Sequence, residues 1–380
     1  MIFNRRQFIS GSGSLFLMGS PLWNARAEQI QKRNIVIISL RGGMDGLAAV
    51  PYIGDRELNK ARPQINVSTK NKLNSDFALN PRLRTMHQLW KEGQAAIVHA
   101  TSIPYTERSH FEGQNLMESG STEPFTTDSG WLGRGIDAAN LNGLAVSLPM
   151  PLILRGESNP DNYYPTKMEL PDEILMQKIA STYQSGGLVS KTMNRLQNRS
   201  RFLQEKAYGY EAFNLADTAA LELAREEGPR VAVFDINGFD THATQGGEEG
   251  RHADNLAKFD RVVNTLKKGM GPAFDNTLIL SLTEFGRMVE QNGGNGTEHG
   301  YGTAIFMAGG LVKKAQVLTD WPGLKKADRF EGRDLNVTID ARSIYCSAMA
   351  ACFDTDFEKL RREAFFGASL QDYTTELFKV

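Results

Sequence analysis

Histidine and cysteine are both scarce in this sequence of 380 residues, which holds six histidines and two cysteines. Cys346 and Cys352 lie in one apolar run that is typical of a helix, where their spacing places them on different faces. We therefore expect two buried small side chains and no disulfide between them. The sequence also has no CxxC, GxxxxGK[ST] or GxGxxG motif, which disfavours redox clusters and nucleotide cofactors.

Long apolar runs and an excess of basic residues are missing as well. Beyond the first 27 residues no stretch approaches the roughly 20 apolar residues that a membrane span needs, so we predict no transmembrane segment. A formal net charge of -1 argues against a general nucleic-acid binder, which would carry a basic excess. With 41% hydrophobic residues the composition is that of a globular protein with a sizeable core.

The first 27 residues have the pattern of an export signal. Arg5 and Arg6 precede a weakly apolar stretch that runs to about Trp23, and Ala25 and Ala27 fit a small-x-small cleavage site. Paired arginines before such a stretch indicate the twin-arginine route to the periplasm or the exterior, and a general secretory signal is the alternative. We predict one compact domain over residues 30–380.

Strand and helix patterns alternate along that domain. Continuous β-branched runs predict buried strands at residues 34–40, 95–100, 231–234, 277–282 and 303–308. Amphipathic patterns predict helices at residues 81–93, 109–119 and 251–268. Alternating strands and helices indicate an α/β protein with three αβα layers and a mainly parallel central sheet. The polar helical pattern of residues 173–227 predicts a helical insertion or outer layer.

Acids and imidazoles follow the predicted strands. In an open α/β sheet ligands bind beyond the carboxyl ends of the strands, so side chains at these places are expected to meet. Imidazoles and carboxylates together are suited to a divalent metal, and this mixed set fits Zn or Mn better than Ca. The candidate metal ligands are Asp45, Asp240, His242, Glu284 and His299. We predict a helix that begins near Glu284 and, after it, a glycine-rich loop of residues 293–302 that contains His299.

Spacing and position give some of these residues a more specific role. Residues i and i+2 of an extended segment face the same way, so Asp240 and His242 could reach one ion, with Asp235 as the substitute if Asp240 points away. Ser109 is a good helix N-cap, where the helix dipole favours an anion, and it is a candidate nucleophile. His110 is a candidate general acid or base, or a substrate contact.

An ordinary structural role is the alternative for each candidate. It would be a turn carboxylate for Asp45, a salt bridge with Arg287 for Glu284, a solvent-exposed imidazole for His299 and plain capping for Ser109. We expect no catalytic role for the other histidines and predict the core for His87 and His99 and solvent for His252.

Six separated motifs occur in a familiar order: LRGGMDGL, SHFEGQNLMESG, GWLGR, FDINGFDTHATQ, SLTEFGRMVEQNGGNGTEHGYG and DWPGL. In this the chain resembles the bacterial exported family DUF1501, which is similar in fold to the alkaline phosphatase and sulfatase superfamily. The resemblance implies an alkaline phosphatase-like fold and export. It also implies a nucleophile at Ser109 and metal ligands at Asp45, Asp240, His242, Glu284 and His299.

Two departures from the superfamily pattern favour one metal ion over two. The aspartate and histidine of the pair at Asp240 are two residues apart, where the superfamily has four. The usual Asp-His-Gly run is replaced by Glu284-Phe285-Gly286. We therefore expect an exported metal-dependent hydrolase of phospho- or sulfo-esters. The alternative is a non-catalytic secreted or surface-associated protein that keeps the fold for binding or assembly. The substrate and the oligomeric state stay open.

Overall fold

Strand β1 (Asn34–Arg41) lies in the middle of the sheet, and its apolar side chains are buried on both faces. The structure is a computed structural model that describes residues 32–147, 149–158, 160–163, 174–175, 178 and 212–380. Within them β1 pairs in parallel with β5 (Val231–Asn237) on one side and with β6 (Thr277–Leu282) on the other. A strand flanked by parallel neighbours is covered by helices on both faces, which explains its unbroken apolar sequence.

The sheet continues outward from these three strands. The further strands are β2 (Ala95–Ser102), β3 (Gly143–Ala145), β4 (Asp161–Asn162), β9 (Thr303–Ala308), β10 (Val317–Leu318) and β11 (Ile339–Asp340). The strand order is β10-β2-β9-β6-β1-β5-β3-β4, with β11 also paired to β2. Among the described strands of this sheet only β9 is antiparallel to its neighbours, so the prediction of a mainly parallel sheet is confirmed.

Helices cover both faces and give two separate cores, which confirms the predicted three layers. Alternate residues of β1 point to opposite sides, with Ile35 and Ile37 in one core and Val36 and Ile38 in the other. The first core packs against helices α4 (His110–Ser119), α5 (Trp131–Ala139), α8 (Ala341–Phe353) and α9 (Phe357–Ala364). The second packs against α3 (Arg84–Lys91), α6 (Ala212–Ala224) and α7 (Arg251–Met270).

Short elements complete the described chain. They are helices α1 (Gly46–Ala49), α2 (Arg56–Ala61) and α10 (Thr374–Leu377) and 3-10 turns at Leu152–Leu154 and Gly271–Asn276. Cys346 and Cys352 are free and buried in α8, as predicted from their apolar run. None of the helices in the described part of the chain has the length and apolar character that crossing a bilayer requires.

One local prediction was wrong. The sequence favoured a helix beginning near Glu284 and a loop around His299. The chain instead forms a two-stranded hairpin of β7 (Gly286–Arg287) and β8 (His299–Gly300). A side chain at Gly286 would collide with the backbone of Gly302, so this tight pairing requires glycine. The predicted export signal at 1–27, and the helical insertion at 173–227 except for a few residues and α6, lie outside the described residues.

Candidate metal centre

The carboxyl ends of four strands deliver the candidate side chains to one edge of the sheet. Strands β1, β5 and β6 are parallel neighbours, and β2 runs the same way because β9 is antiparallel to both β6 and β2. The loops after them cross closely. A Cβ built on Gly42, where φ is +114°, would lie 2.3 Å from the backbone nitrogen of Asp240. Glycine at position 42 therefore allows the loop after β1 to contact the loop after β5 beneath the site.

Three imidazoles meet at one carboxylate oxygen. Asp240 Oδ1 lies 3.0 Å from His242 Nε2, 3.2 Å from His299 Nε2 and 3.5 Å from His110 Nε2. His242 Nε2 and His299 Nε2 are also 3.0 Å apart. The candidate ligand atoms of His110, Asp240 and His299 all lie within 4.8 Å of one another. The structure thus brings together four residues from three different segments of the chain, since Asp240 and His242 share the loop after β5.

The other ring nitrogen of each imidazole faces an acceptor. His110 Nδ1 lies 2.8 Å from Glu284 Oε1, His242 Nδ1 lies 2.9 Å from Glu298 Oε2, and His299 Nδ1 lies 2.8 Å from the carbonyl oxygen of Arg108. In a neutral imidazole, an acceptor at Nδ1 favours the tautomer with the proton on that atom. All three Nε2 lone pairs are therefore directed toward the Asp240 carboxylate.

Such an arrangement fits a cation. Neutral Nε2 atoms and an ionised carboxylate oxygen are all hydrogen-bond acceptors, and acceptors at about 3 Å repel each other unless a proton or metal ion lies among them. His110 Nε2 is buried and has no hydrogen-bond partner within the described residues. Imidazole nitrogens, each with an outer acceptor on the second nitrogen, are the usual ligand set of Zn in proteins.

Glu284 supports the site from beneath. Its side chain is fully buried, and Oε1 accepts from Gly42 N at 2.9 Å and from Gln114 Nε2 at 3.0 Å besides facing His110. Burial disfavours the charged form, but these hydrogen bonds overcome it and lower the pKa of Glu284. In return, the hydrogen bond to Glu284 raises the pKa of His110. Glu284 is thus placed to orient His110, and we leave it out of the proposed ligand set.

Arg287 binds Asp240 and joins the loops of the site. Its guanidinium is 2.6 Å from Asp240 Oδ1 and donates to the carbonyl oxygens of Gly43, Phe239 and Thr297. Desolvation works against ionisation of Asp240, but Arg287 outweighs it and holds the pKa of Asp240 at about 2. The salt bridge between Glu284 and Arg287, an alternative raised by the sequence, is not formed, because Arg287 pairs with Asp240.

Asp45 lies in a different, sealed environment. Its fully buried carboxylate accepts from Arg62 and Gln245 at 2.6 Å each and from the backbone nitrogen of Ala48 at 3.1 Å, where it caps α1. Its own backbone nitrogen donates to His252 Nε2. With its oxygens engaged in this way, Asp45 is not in the group that meets at Asp240. The structure therefore does not bring Asp45 to the other candidate ligands, and we leave it out of the proposed ligand set.

Ser109 lies where the sequence placed it, at the N-cap of α4 and directly before His110. Its side chain makes no capping hydrogen bond, so plain capping does not account for its hydroxyl. The preceding residue, Arg108, has a left-handed backbone with φ of +63°, which is uncommon for a side chain of this kind. That turn presents the Arg108 carbonyl to His299.

The remaining histidines take structural positions. His99 is fully buried with Nε2 3.0 Å from the carbonyl oxygen of Val50, and burial lowers its pKa to about 4. His87 is partly buried on α3. The expectation of a solvated His252 was wrong. The ring is completely buried against Asp45, and burial lowers its pKa to about 4. The polar helix pattern concealed that its first turn faces inward.

Three contributors escaped the sequence-based selection. Glu298 adjoins His299 but serves His242, and its adjacency to a candidate histidine was the available signal. Arg108 acts through a backbone carbonyl, which no side-chain motif reveals. Arg287 was considered only as a partner of Glu284, and its true partner, Asp240, follows a different strand.

Comparisons with known proteins agree with the predicted resemblance. The model of the family described as "Protein of unknown function (DUF1501)" matches residues 203–344. That range includes Asp240, His242, Glu284 and His299, whereas His110 lies outside it. No curated protein matches the chain.

Several solved structures are similar to this chain at low identity. The C-terminal periplasmic domain of EptC from Escherichia coli, solved with Zn, is 12% identical with a TM-score of 0.41, over 84% of this chain and 81% of that one. The sulfatase PsFucS1 from Pseudoalteromonas sp. is 13% identical with a TM-score of 0.41, over 99% and 80%.

A protein of the alkaline phosphatase superfamily from Vibrio parahaemolyticus is 9% identical with a TM-score of 0.42, over 90% of this chain and 71% of that one. The family match covers the part of the chain that supplies three of the four clustered side chains. Residues 203–344 therefore carry the DUF1501 family pattern that the sequence motifs predicted.

Proposed function

We propose that this chain is an exported hydrolase of phospho- or sulfo-esters that uses one divalent metal ion, held by His110, Asp240, His242 and His299. One observation carries the proposal: three imidazoles, each with an acceptor at Nδ1, have their Nε2 atoms within 3.5 Å of a single carboxylate oxygen. A nitrogen-rich set of this kind suits Zn best, with Mn second, and does not suit Ca.

The residues of the chain have separate tasks in this proposal. When bound, the metal would polarise an ester oxygen and ease attack at phosphorus or sulfur. Ser109 is the proposed nucleophile, since its hydroxyl lies at the N-terminus of α4 and is not used for capping. Glu284 and Glu298 keep Nδ1 of His110 and His242 protonated, so that both Nε2 atoms keep their lone pairs for the ion.

Metal analysis tests the proposal. Protein purified from cells supplied with Zn and Mn is expected to hold about one ion per chain, and His242→Ala is expected to lose most of it. His87→Ala is the matched control, because His87 lies on α3 and is absent from the clustered group. Equal and near-zero metal in all three proteins would end the proposal. Turnover of aryl phosphates and aryl sulfates by wild type and by Ser109→Ala then tests the chemistry.

A second candidate function has one observation in its favour. The guanidinium of Arg287 already neutralises Asp240 at 2.6 Å, so the cluster has a built-in cation beside it. A protein that keeps the fold only for binding or assembly would need no other. This candidate predicts no turnover on either ester panel and a free energy of unfolding that chelators leave unchanged.

Export is proposed from the N-terminal sequence alone. Replacing both Arg5 and Arg6 with lysine keeps the charge and removes the twin-arginine pattern. We expect the variant to stay in the cytoplasm while the wild type is exported. Export of both proteins alike would favour the general secretory alternative.

A further inference from the structure

A second cavity lies apart from the metal centre. Its volume is about 450 Å³, within the range of small-molecule sites, and it is lined by residues 120–123 and 126–127, by Arg342 of α8 and by Phe365, Phe366 and Ala368. It shares no lining residue with the cluster of His110, Asp240, His242 and His299. A ligand bound there would therefore not compete directly with the proposed metal.

One residue of the lining, Arg342, has an unsatisfied donor. Arg342 is 6% exposed, and its Nε and Nη2 bind the Asp340 carboxylate at 3.2 Å and 2.8 Å. Its Nη1 is buried and has no hydrogen-bond partner within the part of the chain that the structure describes. A buried N–H group without an acceptor is unfavourable, so a ligand oxygen that reached Nη1 would relieve a cost already present.

The charge around the cavity points to a neutral ligand. Asp340 already balances Arg342, and the other charged residue of the lining, Glu123, is exposed and negative. The lining as a whole therefore offers no net positive charge to a phosphate, sulfate or carboxylate. The Arg134 guanidinium nearby donates to the carbonyl oxygens of Ser119, Ser129 and Ala364. An anion placed here would therefore meet the Glu123 carboxylate without a free N–H group of this second cation to balance it.

Hydroxyl groups and two phenyl rings, of which that of Phe366 is exposed, make up much of the remaining wall. Ser121, Thr122, Thr126 and Thr127 line the cavity, and Thr126 donates its hydroxyl to the carbonyl oxygen of Glu123, which leaves its oxygen able to accept. These groups suit a ligand that carries several hydroxyls of its own. They form one side of the lining.

The exposed phenyl ring is that of Phe366. It is 57% exposed although the Arg134 guanidinium lies over it at 4.2 Å, and its backbone is left-handed with φ of +55°. A bulky residue in this conformation is strained, and such strain concentrates at ligand sites. The strained turn thus keeps an apolar ring exposed at the cavity, although contact with water is unfavourable for such a ring.

We propose that this cavity binds a neutral saccharide unit. The apolar face of the sugar ring would lie on Phe366, its hydroxyls would exchange hydrogen bonds with the threonines, and one of its oxygens would accept from Arg342 Nη1. A pyranose has this combination of one apolar face and a hydroxyl-bearing edge. The site would hold a sugar independently of the proposed hydrolysis.

Isothermal titration calorimetry of the full chain tests the proposal, with maltose, cellobiose and lactose as neutral probes and benzoate and sulfate as anionic ones. We expect at least one disaccharide to bind and neither anion to do so. Phe366→Ala is expected to weaken disaccharide binding about fivefold or more. Phe125→Ala is the matched control, since Phe125 is 66% exposed and left-handed at φ of +59° but does not line the cavity.

The outcomes separate this proposal from the metal proposal. Weaker sugar binding in Phe366→Ala with unchanged metal content supports a separate saccharide site. Equal weakening by Phe366→Ala and Phe125→Ala, binding of benzoate in preference to every disaccharide, or no binding of any disaccharide would overturn it. None of these results bears on whether His242→Ala loses metal, so either proposal can fail alone.

Discussion

Asp45 and Asp240 come from similar sequence contexts, each in a glycine-containing loop after a buried strand, yet their surroundings differ. Asp45 is completely buried, and Arg62, Gln245 and the α1 backbone satisfy its oxygens. The Asp240 side chain is 44% exposed and faces three imidazole Nε2 atoms. The Asp45 carboxylate is enclosed and fully hydrogen-bonded, whereas the Asp240 carboxylate is open to solvent and surrounded by imidazole nitrogens.

The comparison teaches that a loop carboxylate is not identified as a metal ligand by its position alone. Each aspartate is paired with an arginine, Arg62 at Asp45 and Arg287 at Asp240, so the difference lies in the other groups that face the carboxylate. Gln245 and the α1 backbone bring further N–H groups to Asp45, while the acceptors at Nδ1 of His242 and His299 turn lone pairs toward Asp240. A cation site is left at Asp240 because imidazole lone pairs, and not only N–H groups, face its carboxylate.

Breaking the buried cluster of Asp45, Arg62 and Gln245 should have the largest effect on stability. Arg62→Met removes the cation from a fully buried pair and leaves Asp45 ionised without a counter-charge, so we expect the free energy of unfolding to fall by about 3–5 kcal/mol. Urea unfolding followed by circular dichroism measures the change. The exposed Arg56→Met is the control and should change stability by less than about 0.5 kcal/mol. Similar values for both variants would contradict the importance of the pair.

Weakening the cluster of imidazoles around Asp240 should affect metal affinity more than stability. Glu298→Gln keeps the shape of the side chain but removes the charge that faces His242 Nδ1, and we expect a tenfold to hundredfold loss, an order of magnitude typical of second-shell partners. Competition titration with a chromophoric Zn chelator measures it. Glu290→Gln, which alters an exposed partner of Arg329, should leave the affinity unchanged. Equal affinities of Glu298→Gln and wild type would show that Glu298 does not orient the ligand.

Lowering the pH should reduce the stability that the Asp45 cluster contributes, over a range of pH values. Desolvation opposes ionisation of Asp45, but Arg62 and His252 overcome it and lower its pKa from the ordinary value of 3.8. A lowered folded-state pKa gives stability that is present above the ordinary value and is lost as pH falls through the folded-state value. The wild type should therefore lose more free energy of unfolding than Asp45→Asn between about pH 5 and about pH 2. Parallel pH profiles of the two proteins would contradict this.

The sequence predicted the fold well because its signals are local. Unbroken apolar runs marked the central strands, and Ser109 marked the start of α4, which the structure places at His110–Ser119. The hairpin of β7 and β8 was missed because its register depends on Gly286 and Gly302 meeting across a turn, which no periodicity encodes.

The site was only partly predictable for a related reason. Two-residue spacing brought Asp240 and His242 to one point, 3.0 Å apart, and Asp235 instead pairs with Arg41. The separate burial of Asp45 depends on Arg62, which belongs to a distant turn after α2. Tautomers depend on what faces each Nδ1, and that follows from tertiary contacts and not from motif content.

The most direct test of the account is zinc K-edge X-ray absorption of the Zn-loaded full chain, compared with His110→Ala. The account predicts a first shell dominated by imidazole nitrogens with one carboxylate oxygen, and fewer imidazole contributions in the variant. A shell of water oxygens alone, or an imidazole count that His110→Ala leaves unchanged, would contradict a metal centre at His110, Asp240, His242 and His299.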